Sequence, residues 1–217
     1  TPAEGSFLDH FHLFDLDNFS VMMAVSILIG AVHVSYGCVM DAMRYPDWPR
    51  RFPSLGWASA IMGGLAVWGA LQLDSNLLRV IGMLLAIGGL VLVVGFSGYG
   101  EKPVKRALQG VTALSAVSGA FGDVMSYLRL FALGLASASL AMAFNGMAND
   151  VREALPGIGF LFALLILLLG HGLNFILAVA SGFIHGLRLN VIEFFKWGVK
   201  EEGHAYRPFE QKESNSG

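Results

Sequence analysis

The sequence predicts an all-α membrane protein, and three observations carry that prediction. Only 14% of the 217 residues are charged while 55% are hydrophobic, against about 25% charged in an average soluble domain. Five stretches are apolar and long enough to cross a bilayer, in a chain whose mean hydropathy is +0.61. The basic residues collect in alternate connectors. Together these exclude an ordinary globular enzyme. A formal charge of -2 argues against a nucleic-acid binder, and the lone Cys38 excludes a disulfide framework. The chain starts at Thr1 with no initiator Met and no basic segment ahead of an apolar run, so it reads as a piece of a longer protein.

Charge-free stretches define the elements, because an ionised side chain at mid-bilayer costs at least ~2.5–3.5 kcal/mol on insertion scales. Residues 18–40, 52–73 and 80–100 offer 23, 22 and 21 uncharged positions. Each suffices for a helix rising 1.5 Å per residue through about 30 Å of hydrocarbon. The fourth, 107–149, runs 43 residues interrupted only by Asp123 and Arg129, and the fifth, 155–197, is uncharged until Arg188. Continuous helices of that length would measure ~65 Å, about twice the hydrocarbon thickness. They are expected to tilt strongly, to break at Gly119 and Gly122, or to project from the bilayer. Short connectors such as 97–106 leave no room for a soluble domain, so 1–217 reads as one helical membrane domain ending in a polar cytoplasmic tail, 198–217.

The connectors also give a direction. Arg44, Arg50 and Arg51 follow the first span, Lys102, Lys105 and Arg106 the third, and Lys196, Lys200, Arg207 and Lys212 the fifth. The opposite side carries only Arg79 and Arg152, after an N-terminal stretch with Glu4, Asp9, Asp15 and Asp17. The positive-inside rule then predicts the N-terminus outside and the C-terminus cytoplasmic.

Two basic residues remain inside apolar sequence, Arg129 and Arg188. A guanidinium stays protonated at any physiological pH, so it must find an anion, carbonyls or water. On a helical wheel, Thr112, Ser115, Asp123, Ser126, Arg129 and Ser137 share an arc of roughly 120°; His171, Asn174, Ser181, His185 and Arg188 share one of roughly 100°. Such stripes are expected to face each other, a watery cavity or a partner subunit. Single serines also suit bonds to their own helix, and His171 and His185 suit either helix-to-helix hydrogen bonds or a hydrated proton path. Arg188 lies near the cytoplasmic basic cluster and can alternatively snorkel toward it. His33, alone in the first span, reads as a packing or hydrogen-bonding residue. Other motifs are weak. GFSGYGEK at 95–102 lacks the pattern of a phosphate loop, and His10 and His12 point to different faces of a helix, so neither a nucleotide nor a metal site is expected.

The segment GDVMSYLRLFALGLASASLA (122–141) resembles the signature helix of the membrane stator subunit of V-type and A-type rotary ATPases, called a in eukaryotes and I in prokaryotes. GHGLNFILAVASGFIHGLRLNVIEFFKW (170–197) and EEGHAYRPFE (201–210) resemble that family's last helix and closing segment; IGAVHVSYG (29–37) and LGW (55–57) are similar to its earlier spans. The resemblance implies that these are the last five of eight spans, in a prokaryotic cell membrane, without the family's large N-terminal cytoplasmic domain. It also implies that Arg129 and Arg188 are the two arginines of the ion path, working against a rotor ring of small membrane subunits that carry carboxylates. The implied partners further include peripheral stalk subunits and, indirectly, a soluble sector that handles ATP. This chain would then be an ion-translocating part without a hydrolytic site or cofactor of its own. Candidate residues lining the half-channels are Asp123, Ser126, Ser137, His171, Asn174, Ser181, His185 and Glu193. Ser137 and Ala178 stand where eukaryotic members carry a histidine and a glutamate, so their proton route does not transfer residue by residue. Two rival readings are a secondary transporter or channel binding an anion at the arginines, and a scaffold in which the arginines pair with Asp123 and Glu193.

Overall fold

The computed structural model describes residues 19–199, and of residues 103, 106 and 107 the backbone only. The acidic N-terminal stretch, His10 and His12, and the tail with Lys200, Arg207 and Lys212 lie outside the described residues.

Helix α1 (Phe19–Arg44) stops ahead of Tyr45 and Pro46, since a proline disfavours helical geometry in the residue before it. Helix α2 (Trp48–Leu73) then begins with Pro49 in its first turn, where the missing N–H would have no helical partner anyway. The corner is held by Arg51, whose Nε donates to the Tyr45 carbonyl at 2.6 Å while the guanidinium lies 5.1 Å from the Trp48 ring. Beneath it, the Ser54 hydroxyl donates to the buried Asp41 carboxylate, tying α2 to α1. Asp74 closes α2 in the left-handed conformation, with φ 48°, and Ser75 caps α3 (Asn76–Phe96) by accepting from the Leu78 N–H at 3.4 Å.

The α2–α3 hairpin is built on absent side chains. A methyl added at Gly56 would lie 2.6 Å from the Gly89 carbonyl oxygen, and one at Gly82 would lie 2.7 Å from the Val67 nitrogen. Small residues let two helix backbones approach this closely, which is how dispersion holds helices together where lipid removes the hydrophobic drive.

The fourth span is three helices in succession, α4 (Pro103–Leu114), α5 (Ala116–Met125) and α6 (Leu128–Ala154). Its interruptions fall at Ser115 and at Ser126–Tyr127, whereas Gly119 and Gly122 sit inside α5. The reason is local hydrogen bonding. Thr112, Ser115 and Ser118 each donate a hydroxyl to the carbonyl three residues back, at 3.0, 2.7 and 3.2 Å. At the second break the N–H groups of Tyr127, Arg129 and Leu130 also reach back three residues, tightening the turn. Hydroxyls that compete for the ladder thus accompany the first break, whereas the second is a tightened backbone turn whose Ser126 hydroxyl bonds across to Glu193.

After a turn containing Gly157 at φ 90°, the last span runs as α7 (Gly159–Arg188), a π-helical turn (Leu189–Phe194) and a short α8 (Phe195–Gly198). Five segments are long and apolar enough to cross a membrane: Phe19–Arg44, Trp48–Leu73, Asn76–Phe96, Leu108–Ala154 and Gly159–Gly198. The core gathers Val34, Cys38, Trp57, Val93, Val124, Tyr127, Leu189 and Trp197 from the first four spans and the C-terminal turns. Helix α7 contributes little to it. Leu168, Phe175 and Phe183 are among its many exposed apolar side chains, a surface suited to lipid or to neighbouring membrane helices.

Candidate functional site

Arg129 sits one residue inside α6, immediately after the Ser126–Tyr127 interruption. Its side chain is 25% exposed and that of Glu193, in the π-helical turn, 4%. The two are joined through a hydroxyl. Arg129 Nη2 donates to Ser126 Oγ at 2.6 Å, and Ser126 Oγ donates to Glu193 Oε1 at 2.6 Å, while guanidinium and carboxylate stand 4.0 Å apart. A full π-helical turn brings Glu193 to this position; insertions of this kind in helices frequently mark functional sites. Arg129 Nη1 and Glu193 Oε2 are buried with no partner among the described residues, as is His185 Nδ1. The group thus keeps hydrogen-bonding capacity of both signs in reserve.

One turn earlier, Asp123 faces α8. Its Oδ2 accepts from Lys196 Nζ and from Trp197 Nε1, each at 2.7 Å. Lys196 and Trp197 were absent from the candidates read in the sequence, although their three- and four-residue spacing from Glu193 puts all three on one helix face. Asp123 and Arg129 therefore have separate partners.

Farther along the α6–α7 pair, Ser137 Oγ donates to Asn174 Oδ1 at 2.9 Å and Asn174 Nδ2 returns a bond to the Ser137 carbonyl at 3.0 Å. Next, His171 Nε2 lies 3.0 Å from Asn145 Oδ1. The two polar stripes do face each other at these points. Asn145 was the missed member, signalled only by being a carboxamide between Phe144 and Gly146. Ser181 is half-buried, and Arg188 is exposed with no ion pair or hydrogen bond among the described residues. Thr112 and Ser115 bond to their own helix and take no part. Among the described residues, no three His, Cys, Asp or Glu side chains gather as a metal site would require.

No family model and no solved structure matches the chain. Curated relatives do. The chain is 33% identical over 204 residues to the V-type ATP synthase subunit I of Chlamydia pneumoniae, covering 89% of this chain and 28% of that protein. It is 32% identical over 210 residues to the A-type ATP synthase subunit I of Methanocaldococcus jannaschii, covering 91% of this chain and 30% of that one. The chain is homologous to the C-terminal part of V/A-type ATP synthase subunit I. A further relative, the A-type ATP synthase subunit I of Methanothermobacter thermautotrophicus, is 29% identical over 189 residues, 86% of this chain and 26% of that protein. The chain spans less than a third of the length of these subunit I relatives. With five spans long enough for a bilayer and membrane ATP synthase relatives in prokaryotes, this subunit I homologue is a membrane protein.

Proposed function

We propose that this chain forms the stator side of an ion path in a V/A-type ATP synthase, with Arg129 and Arg188 meeting the ion-carrying carboxylates of a rotor ring. The observation that carries this reading is the Arg129 guanidinium, three-quarters buried in apolar helices and steered by Ser126 and Glu193, in a homologue of subunit I. Each ring carboxylate crosses lipid neutral, with its ion bound. Within ~4–6 Å of a guanidinium it ionises instead, since an opposite charge at that range lowers a carboxyl pKa by about 1–3 units. Because the guanidinium cannot deprotonate, release is enforced on every passage.

Polar groups on either side of Arg129 supply the two access routes in this reading. With the N-terminus outside, as the distribution of basic residues suggests, Asp123, Lys196 and Glu193 lie toward the cytoplasm. Ser137, Asn174, Asn145 and His171 lie toward the outside, and Ser181 and His185 continue the polar face of α7 between the two groups. The fixed positive charge keeps the two routes from joining, so ions cross only with a moving ring. A separate soluble sector handles ATP, and the remaining partners are the N-terminal domain of subunit I and peripheral stalk subunits.

The test is Arg129→Gln in an assembled complex in sealed vesicles. ATP-driven ion uptake is expected to fall to background, with ATP hydrolysis by the detached soluble sector unchanged; substantial uptake would overturn the proposal. Arg188→Ala, at an exposed side chain with no ion pair or hydrogen bond among the described residues, is expected to retain more uptake than Arg129→Ala in matched complexes.

A further inference from the structure

Helix α1 carries none of the residues assigned to the ion path, yet one of its faces receives both halves of the Arg129 group. Gly30, His33 and Gly37 follow a three- and four-residue spacing that lines them along one side of the helix. Tyr127, next to Ser126, is 1% exposed, and its ring fills the notch at Gly30 so closely that a methyl there would lie 2.8 Å from two ring carbons. Phe194, next to Glu193, packs at Gly37, where a methyl would lie 3.2 Å from the Phe194 carbonyl oxygen. His33 stands between them. Its Nδ1 hydrogen-bonds the Tyr127 hydroxyl at 2.7 Å, and its ring stacks on Phe194 with centroids 4.5 Å apart and planes at 14°.

The residues gripped by α1 are thus the chain neighbours of the two that hold each other by the Ser126–Glu193 hydrogen bond. Both lie where the backbone departs from regular α-helix, at the Ser126–Tyr127 interruption and in the π-helical turn. Irregular backbone has fewer ladder bonds to define its position, so side-chain anchors must supply that definition. We infer that His33 and Tyr127 are positioning residues: together with the Gly30 and Gly37 notches they form a latch on α1 that sets where Ser126 and Glu193 meet, and through them where Arg129 points. The inference rests on the stator reading for its functional consequence and on contacts within this chain for its geometry.

Where reacting groups must be aligned, positional errors of about 1 Å can cost about 100-fold, and by the same reasoning loosening the latch should appear in coupling. In assembled complexes in sealed vesicles, His33→Ala and Tyr127→Phe should each lower ions taken up per ATP hydrolysed by about tenfold. The double variant should be no worse than His33→Ala, which already removes the hydrogen bond that Tyr127→Phe removes. His33→Gln, which can still hydrogen-bond the Tyr127 hydroxyl, should recover most of the coupling. Amide exchange across 126–130, read by mass spectrometry, should quicken in His33→Ala and Tyr127→Phe and not in His33→Gln. A packing role alone would lower the amount of complex formed but would not change ions per ATP in what assembles. Wild-type coupling in assembled His33→Ala and Tyr127→Phe would overturn the inference, as would failure of His33→Gln to differ from His33→Ala. The stator reading fails separately, through normal uptake by Arg129→Gln, whereas the exchange result at 126–130 does not depend on ion movement.

Discussion

Two antiparallel helix pairs in this chain share close glycine contacts but differ in what else joins them. The α2–α3 hairpin brings backbone against backbone at Gly56, Gly63, Gly82 and Gly89, with one side-chain hydrogen bond between its helices among the described residues, from Ser59 Oγ to the Leu85 carbonyl at 2.9 Å. The α5–α6 arm and the last span also approach closely at glycine, Gly170 against the Phe144 ring and Gly159 against the Val151 carbonyl, but add polar side-chain contacts at Asp123–Lys196, Ser126–Glu193, Ser137–Asn174 and Asn145–His171. Lipid is indifferent to the first kind of contact and hostile to the second unless each polar group is met. For a helix pair that needs only to hold together, glycine contacts suffice. Polar groups kept in apolar helices against that cost mark the pair to which the proposed ion path is assigned.

Substitutions in the two pairs should therefore separate coupling from stability. The largest effect is expected at Glu193. Glu193→Ala leaves the partly buried Arg129 without its carboxylate and Ser126 without its acceptor, and removing one partner of a buried ion pair costs about 3–5 kcal/mol. Denaturation in detergent should show a loss toward the lower part of that range, because Arg129 is 25% exposed, and ion uptake should fall in the complexes that assemble. Next comes Gly56→Ala, which forces a methyl against the Gly89 carbonyl. Overpacking of this kind costs about 1–3 kcal/mol, so unfolding should come earlier while ions per ATP stay unchanged. Altered coupling in Gly56→Ala would break the comparison. The smallest effect belongs to Ser137 and Asn174, where a double-mutant cycle should return about 0.6 kcal/mol and no more than about 1.7, the range of hydrogen bonds between membrane helices.

What was legible in the sequence follows the same division. The five spans could be read because a charge in hydrocarbon is costly and leaves long uncharged runs. Arg129 stood out for that reason; the two polar stripes were legible as well, but that they meet at Ser137 and Asn174, one of three surroundings open to them, came from the structure. A break at Gly119 and Gly122 was one of three ways read for the fourth span to fit a bilayer, beside tilting and projecting from it, and the interruptions lie instead at Ser115 and Ser126–Tyr127. A wheel drawn for one continuous helix has no term for the hydroxyls that bond three residues back around Ser115, nor for the backbone bonds that tighten the turn at Tyr127. The π-helical turn was equally invisible, because an inserted residue leaves the hydrophobic pattern of LNVIEF nearly unaltered. Of the pairings weighed for a scaffold, Glu193 does stand beside Arg129, by way of Ser126, whereas Asp123 belongs to Lys196 and Trp197. His33 read as an isolated polar residue because its partner Tyr127 is 94 positions away, a separation no local pattern can bridge.

The central claim is that Arg129 is held where it strips ions from acidic groups passing on a rotor. It is tested most directly by a density map of the assembled complex that resolves the Arg129 guanidinium and the nearest ring carboxylate. The account predicts that at least one ring position brings the two within ~4–6 Å, with Ser126 still bridging Arg129 and Glu193. A guanidinium turned into bulk water or toward lipid at every ring position would contradict it.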